Sequence, residues 1–380
     1  MTIRFNEPFV TGKEIQYLSE VLAHGEFGGN GPFTKRVHEL LQARYGVPHV
    51  LLTHSCTGAL ELAALSLDIG PGDEVIVPSY TFATTASSFL RTGASIVFCE
   101  IDPSTMNLDP EDALDRMTER TRVIVPVHYG GIGSDIPLIL KEAGPQVEVV
   151  EDAAQGIEAR FEDQFLGTMA PLGTISFHET KNLHSGLGGA LFVNDPRRFD
   201  RIEDMWERGT NRTKMFRGNV DKYTWVELGS SFYPSELQAA FLLAQLEAID
   251  RNMSERRRLY DVYSALLVPL RDRGLLELPV VAESHQLNYH SVFLILRSRE
   301  TADTVRAHLL RDDIHAYIGY VPLHSSPMGL RMGYKPSDLP LTEEFAPRVL
   351  RLPMHNKMSV DDVEVVCRSL ESALDRHDFG

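Results

Sequence analysis

Apolar and polar positions along this chain change period repeatedly. Behind Thr11, a residue with the chemistry of an N-cap, residues 14–22 set Ile15, Leu18 and Leu22 at helical spacing and predict an amphipathic helix. Residues 33–45 repeat that pattern. Short apolar, β-branched runs then recur at 49–53, 74–78, 95–99, 122–127, 147–152, 174–177 and 189–194, each reading as a buried strand. Helical runs such as Gly58-Ala59-Leu60-Glu61-Leu62-Ala63 fall between them. Strands alternating with helices predict an α/β unit with a mainly parallel sheet, helices on both faces and right-handed connections. A long helix is expected to open after Pro234, run past Leu246 and continue towards Asp261, with Arg256, Arg257 and Arg258 on a solvated face. Beyond about residue 250, helical stretches alternate with short strands, notably 290–296 and a helix over 301–311. That change predicts a large domain over 1–250 and a smaller α+β C-terminal domain over 251–380.

Composition narrows the class. Apolar residues make up 43% of the 380 and charged residues 24%, ordinary for a soluble globular enzyme. A net charge of -16 argues against general affinity for nucleic acid or an anionic membrane. Cys56, Cys99 and Cys367 are too few and too dispersed for a disulfide framework or a zinc site, which fits a reducing cytoplasm. No signal peptide and no membrane-length apolar window is evident, and the histidines lack metal-ligand spacing. A cytoplasmic protein without a metal is expected.

Two stretches carry candidate chemistry. Thr174-Ile175-Ser176-Phe177-His178-Glu179-Thr180-Lys181 reads as a strand end opening into a turn supported by Gly186, Gly188 and Gly189. A lysine held in such a turn can be desolvated, and desolvation favours the neutral, nucleophilic amine that forms Schiff bases with carbonyl cofactors. An ordinary surface lysine is the competing description. Upstream, Val149-Val150-Glu151-Asp152-Ala153-Ala154-Gln155 ends a strand in an acid, where open α/β sheets place ligand-binding groups. A buried carboxylate there can hold a pyridine nitrogen protonated. Asp152 is equally suited to capping a following helix, and the two roles are compatible.

Together, Glu151-Asp152-Ala153-Ala154-Gln155 and Ser176-Phe177 with Lys181 resemble the signature of the sugar aminotransferases of the DegT/DnrJ/EryC1/StrS family. The resemblance runs from Phe5-Asn6 to about Leu352-Pro353. It implies a pyridoxal 5'-phosphate enzyme of the aspartate-aminotransferase fold (fold type I), passing through pyridoxamine 5'-phosphate, and a homodimer with sites at the subunit interface. Lys181 would hold the cofactor and then act as general base and acid. Asp152 would keep the ring nitrogen protonated, Gln155 would contact the ring's polar edge, and Ser176, Cys56 and Thr57 would bind the phosphate. The Ser55-Cys56-Thr57 start of a helix also suits a phosphate on its own physics, though a simple N-cap explains it too. Relatives often have glycine where Cys56 stands.

Phe82, in Ser79-Tyr80-Thr81-Phe82, would stack on the pyridine. In many relatives an asparagine reaches the partner subunit's cofactor phosphate, and here Ser231 takes that position. The segment 206–225 holds Arg208, Arg212, Lys214, Arg217 and Lys222 against only Glu207 and Asp221, a local positive patch suited to a diphosphate or merely a basic solvated loop. Within the family, Arg208-Gly209-Thr210-Asn211-Arg212 and 216–225 are most similar to the 4-aminotransferases acting on dTDP-4-keto-6-deoxyglucose. Arg212, Lys222, Tyr223 and His324 are the candidate substrate contacts, with L-glutamate as the implied amino donor. A nucleotide-sugar 3-aminotransferase shares every cofactor motif. A catalytically silent binding or sensor protein retaining the fold is the alternative from another class.

Overall fold

The computed structural model describes residues 2–376. Its centre is a seven-stranded sheet built from β1 (His49–Thr53), β2 (Glu74–Pro78), β3 (Ser95–Cys99), β4 (Thr121–Ile124) and β5 (Glu148–Asp152). After a short hairpin of β6 (Arg160–Phe161) and β7 (Gln164–Phe165), β8 (Leu172–Ser176) and β9 (Gly189–Val193) complete it. The strand order is β1-β9-β8-β5-β4-β2-β3. Only β9 runs against its neighbours, β1 and β8; every other pairing is parallel. The mainly parallel α/β sheet expected from the alternation is present.

Burial on both faces explains why these strands are continuously apolar rather than alternating. Adjacent Leu51 and Leu52 point to opposite sides. Leu52 packs with Val37 and Leu41 of the helix Pro32–Tyr45 and Leu243 of Glu236–Glu247. Leu51 packs with Leu60 and Ala63 of Cys56–Ser66 and Phe89 of Ala83–Leu90.

The C-terminal part forms a second core on a three-stranded antiparallel sheet. A short strand, β10 (His285–Gln286), pairs with β6; β11 (Val292–Ile295) and β12 (Tyr317–Ile318) both pair with β13 (Val349–Leu352). Helices Ile249–Asp272, Arg299–Arg311 and Val360–Arg376 pack on this sheet through Leu259, Val305 and Leu370. Ile3 joins the same core and bridges to Ile314, so the leading residues sit with the C-terminal part. No helix among the described residues is long and apolar enough to cross a membrane.

Three local expectations are overturned. The first helix, Lys13–His24, is preceded by Gly12 at φ 102° and buries Glu14, Tyr17 and Val21, leaving Ile15 76% and Leu22 63% exposed. Thr11 stands one residue further out than the N-cap position; its hydroxyl accepts from the Lys13 amide at 3.3 Å, and its amide and hydroxyl donate to the Glu14 carboxylate at 2.8 and 3.0 Å, which draws that acid inward. The expected long helix is two, Glu236–Glu247 and Ile249–Asp272, the former starting from a capping box of Ser235 and Gln238. Arg256 is buried, not solvated: its guanidinium donates to the carbonyls of Tyr289, His290 and Met354 and to Asn356.

Candidate active site

Parallel strands β5 and β8 end side by side, with Asp152 opposite Thr174. Asp152 is buried, and its two oxygens are both engaged: Oδ2 accepts from Thr85 Oγ1 at 2.7 Å and Oδ1 from the amide of Ala154 at 3.1 Å. Burial pushes its pKa up, while these hydrogen bonds and the charges of Lys181 and His128 oppose the rise. The preceding residue, Glu151, is fully buried and accepts from His128 Nε2 at 3.0 Å and the amides of Gly167, Met169 and Ala170 at 2.8, 2.7 and 2.6 Å. It thereby fastens the strand end that carries Asp152.

Beyond β8, the chain folds back on itself. The amide of Lys181 donates to the His178 carbonyl, Glu179 donates to Gly186, and Phe177 donates to Gly188. Gly186 takes φ +76°, which a glycine adopts without strain. Desolvation lowers the Lys181 pKa; Cys56 and Asp152 oppose this, and the charge of Arg351 adds to it. The amine is therefore biased towards its neutral form.

Lys181 lines a cleft of about 300 Å³ together with Phe5, Asn6, Gln155, Tyr320 and Arg351. Gln155 Oε1 accepts from the Gly130 amide at 2.7 Å, and its Nε2 donates to the Tyr320 hydroxyl at 3.3 Å. Burial pushes the Tyr320 phenol up to about 12, so it stays protonated. Tyr80 and Tyr129 pack edge-on against Tyr320. Phe82, just ahead of the helix Ala83–Leu90, is 58% exposed, with its ring 6.3 Å from that of Tyr320.

The helix Cys56–Ser66 points its start at the same region. Ser55 caps it, accepting from the Gly58 amide at 3.1 Å. Gly189 lies beneath: a Cβ there would come within 2.5 Å of the Cys56 nitrogen, so β9 and the helix start can touch only through glycine. The Cys56 thiol is half-buried near Asp152 and Lys181. Burial chiefly, and then Asp152, raise its pKa, so it is a neutral thiol. Its contribution to an anion at the helix start is thus its amide, beside that of Thr57. Ser176 is buried at the end of β8, its Oγ accepting from the His178 amide at 3.3 Å.

This set fits pyridoxal phosphate on its donor chemistry. A desolvated lysine, a buried carboxylate, an exposed aromatic ring and a helix start with amides to spare converge on one place. Sequence reasoning missed Thr85, Tyr320 and Arg351. Tyr320 lies four residues before the candidate His324, and the one signal for Arg351 is a cation within the apolar run Val349-Leu350-Arg351-Leu352.

The expected substrate contacts separate. Arg212 and Tyr223 line a second pocket of about 400 Å³ with Gly28, Gly29, Arg208 and Tyr233. Lys222 is exposed but off that wall. The positive patch is smaller than the sequence count, because the preceding helix Phe199–Trp206 supplies two partners, Glu203 for Arg217 and Asp204 for Lys214, and Glu207 within the segment pairs with Arg212. Ser231 is exposed and bridges to Glu207, outside the Lys181 cleft. His324 is corrected: it is fully buried, with Nδ1 2.6 Å from Ser79 Oγ and Nε2 3.4 Å from Glu343. Those partners hold its loop; Tyr320, four residues earlier, is the residue that faces the cleft.

Fold and site together define an aminotransferase built around pyridoxal phosphate. The chain belongs to the DegT/DnrJ/EryC1/StrS aminotransferase family, whose model matches residues 9–371. It is 31% identical over 376 residues to the spore coat polysaccharide biosynthesis protein SpsC of Bacillus subtilis, covering 96% of this chain and 95% of that one. It is 28% identical over 385 residues to the dTDP-4-dehydro-2,3,6-trideoxy-D-glucose 4-aminotransferase of Saccharopolyspora spinosa, covering 99% and 97%. Among solved structures, the putative sugar aminotransferase Spr1654 of Streptococcus pneumoniae in its PMP-form superposes with a TM-score of 0.90 at 23% identity, covering 98% of this chain and 99% of that one. The protein is a pyridoxal-phosphate-dependent nucleotide-sugar aminotransferase.

Proposed function

We propose that the protein converts dTDP-4-keto-6-deoxy-D-glucose to dTDP-4-amino-4,6-dideoxy-D-galactose, with L-glutamate as amino donor and 2-oxoglutarate as co-product. The observation that carries this reading is the pocket holding Arg208, Arg212 and Tyr223, two guanidinium groups and a ring suited to a diphosphate and its base. A relative named for 4-amination of a dTDP-linked deoxysugar supports it.

In this reading Lys181 Nζ would hold the cofactor and, as a free amine, would carry the proton between the two reacting carbons. Pyridoxal phosphate, when bound, supplies the electron sink for that proton shift. Asp152, its carboxylate aimed by Thr85 and the Ala154 amide, would keep a proton on the ring nitrogen, and Phe82 would cover the ring. Gln155 fixes Tyr320 at the cleft wall, and the amides of Cys56 and Thr57 with Ser176 hold the phosphate. Lys222 and Ser231 lie on exposed surface that a second subunit would approach.

The active form is a cytoplasmic homodimer, with a large cofactor domain over 1–250 and a small one over 251–380. Support comes from the apolar side chains left on the surface near the second pocket: Phe216, Tyr223, Trp225 (75% exposed), Val226 and Leu228.

The test is to incubate the cofactor-loaded protein with L-glutamate and dTDP-4-keto-6-deoxyglucose and assign the product by NMR. An axial amine at C4 is expected. An equatorial amine, or amination of a 3-keto sugar instead, would overturn the substrate assignment.

A further inference from the structure

One imidazole on the wall of the Lys181 cleft is fixed at every polar atom but one. His290 lines that cleft. Its amide donates to Asn288 Oδ1 at 3.1 Å, its carbonyl accepts from Arg256 at 2.9 Å, and its Nδ1 lies 2.9 Å from Asn182 Oδ1. Nε2 has no hydrogen-bond partner among the described residues.

The partners decide where the ring hydrogen sits. Asn182 and Asn288 are both buried, and Asn182 Nδ2 donates to the Asn288 carbonyl at 2.8 Å. Turning that amide over would set two oxygens against each other, so Oδ1 faces His290, and an amide oxygen only accepts. Burial lowers the His290 pKa well below 6.5, and the charges of Lys181, Arg256 and Arg351 add to this, so the ring is neutral at pH 7. Its single hydrogen is therefore on Nδ1, and Nε2 keeps a lone pair. Further bonds hold the frame still. Asn288 Nδ2 donates to the carbonyls of Gln155 and Ile157, both at 2.7 Å, and Asn252 Nδ2 donates to the Asn182 carbonyl at 2.7 Å.

Without a hydrogen, Nε2 offers nothing to a carboxylate or a phosphate; its partner must be an N–H or an O–H. The chain places one such donor beside it. Asn182, which fixes the ring, follows Lys181 directly, so the lysine stem and the imidazole hang from the same turn. The Lys181 side chain makes no hydrogen bond or ion pair among the described residues. Of the charges that act on His290, that of Lys181 is the largest. An amine on a flexible four-carbon stem has many orientations, whereas moving a proton between two carbons needs the nitrogen aimed at both.

We propose that His290 is a positioning residue for Lys181, its Nε2 accepting an N–H of the free amine and so aiming the nitrogen at the reacting carbons. The inference rests on the reading of Lys181 as the group that carries the proton. The N–H stays on the lysine, because a ring kept neutral by its surroundings is too weak a base to remove it.

Two measurements test this. In the first, protein carrying nitrogen-labelled histidine is loaded with pyridoxamine 5'-phosphate, which leaves the Lys181 amine free, and nitrogen NMR is recorded. The His290 signals are those lost in His290→Gln. The ring should be neutral with its hydrogen on Nδ1, and the Nε2 resonance should move when Lys181→Ala removes the amine. A hydrogen on Nε2, or an Nε2 signal indifferent to Lys181→Ala, would overturn the proposal. In the second, the half-reaction with L-glutamate is followed in single turnovers by cofactor absorbance. His290→Phe should lower the limiting rate about 10-fold, the range of one hydrogen bond, at an unchanged apparent Kd for glutamate. His290→Gln, whose amide oxygen can accept, should recover part of that rate. Equal losses in the two variants would overturn the proposal and leave His290 a structural clip. So would a defect confined to the KM of the keto sugar, which would give Nε2 to a sugar hydroxyl. Undiminished turnover in Lys181→Ala would instead refute the reading of Lys181, while the ring tautomer would still stand.

Discussion

Thr85 Oγ1 donates to Asp152 Oδ2 at 2.7 Å, and the same hydroxyl lies 2.9 Å from Thr81 Oγ1. A three-member relay therefore reaches from the Thr81 turn to the carboxylate at the end of β5. Because burial drives the Asp152 pKa up, this hydrogen bond is one of the forces keeping the acid ionised. Thr85→Val should raise that pKa further. The acid limb of the kcat profile should then move to higher pH, with kcat near neutrality falling roughly 10-fold. A profile that drops uniformly without moving would mean that Thr85 only packs.

Lys181 provides a second pH test. Its pKa is lowered from 10.5, mainly by desolvation, so the neutral fraction of its amine grows as pH rises through that lowered value. Uptake of pyridoxal phosphate by the apoprotein should speed up with pH and level off below the range of a free lysine. Arg351→Gln removes a positive neighbour and should move the midpoint up. Asp152→Asn removes a negative one and should move it down. Midpoints in the opposite order would contradict this electrostatic account.

Asp152 also limits the stability of the apoprotein. Its folded-state pKa lies above the ordinary 3.8, so folding disfavours the charged form. The native state then loses stability as pH rises from below 3.8 through the folded pKa. Asp152→Asn should make the apoprotein about 1 kcal/mol more stable at pH 7, since the Thr85 hydroxyl can turn to accept from an amide. Urea midpoints of the two proteins should converge at pH 3. Aminotransfer should collapse in the same variant.

Glu151 shows the reverse balance. Four donors converge on its buried carboxylate, and an amide in its place can accept only on its oxygen side. Glu151→Gln is expected to cost about 2–4 kcal/mol, read as a lower urea midpoint at unchanged m-value.

The sequence exposed the strands because they are buried on both faces: His49–Thr53, Glu74–Pro78 and Ser95–Cys99 lie where their apolar runs lie. Asp152 was legible because it ends a strand, and Lys181 because it stands in the glycine-supported turn that follows one. Other residues were obscured by relations that spacing does not carry. Ile15 and Leu22 share a helical face, but Glu14 is drawn inward by Thr11 and Gln245, and that turns the apolar face out. Arg256 looks like its neighbours in a run of three arginines until the carbonyls of Tyr289 and His290 come to it. The basic segment looked unbalanced because Glu203 and Asp204 lie just ahead of it, one turn of helix away from view.

Residues near the start of the chain help to close the cleft. Thr2 and Ile3 are bonded to Asp313 and His315, and the Phe5 carbonyl accepts from Met354, while Asn6 reaches across to the Glu179 carbonyl beside Lys181. The C-terminal part is thus moored to the cofactor side through the helix that begins at Ile249, through this opening strap, and through residues 323–342, where Leu323 bonds to Ser79 and Leu341 and Thr342 bond to Glu100. Any widening of the cleft to admit a sugar must flex these separate stretches of backbone together. A cut or an inserted residue between Asn6 and Thr11 would leave the lysine in place yet loosen the latch that frames it.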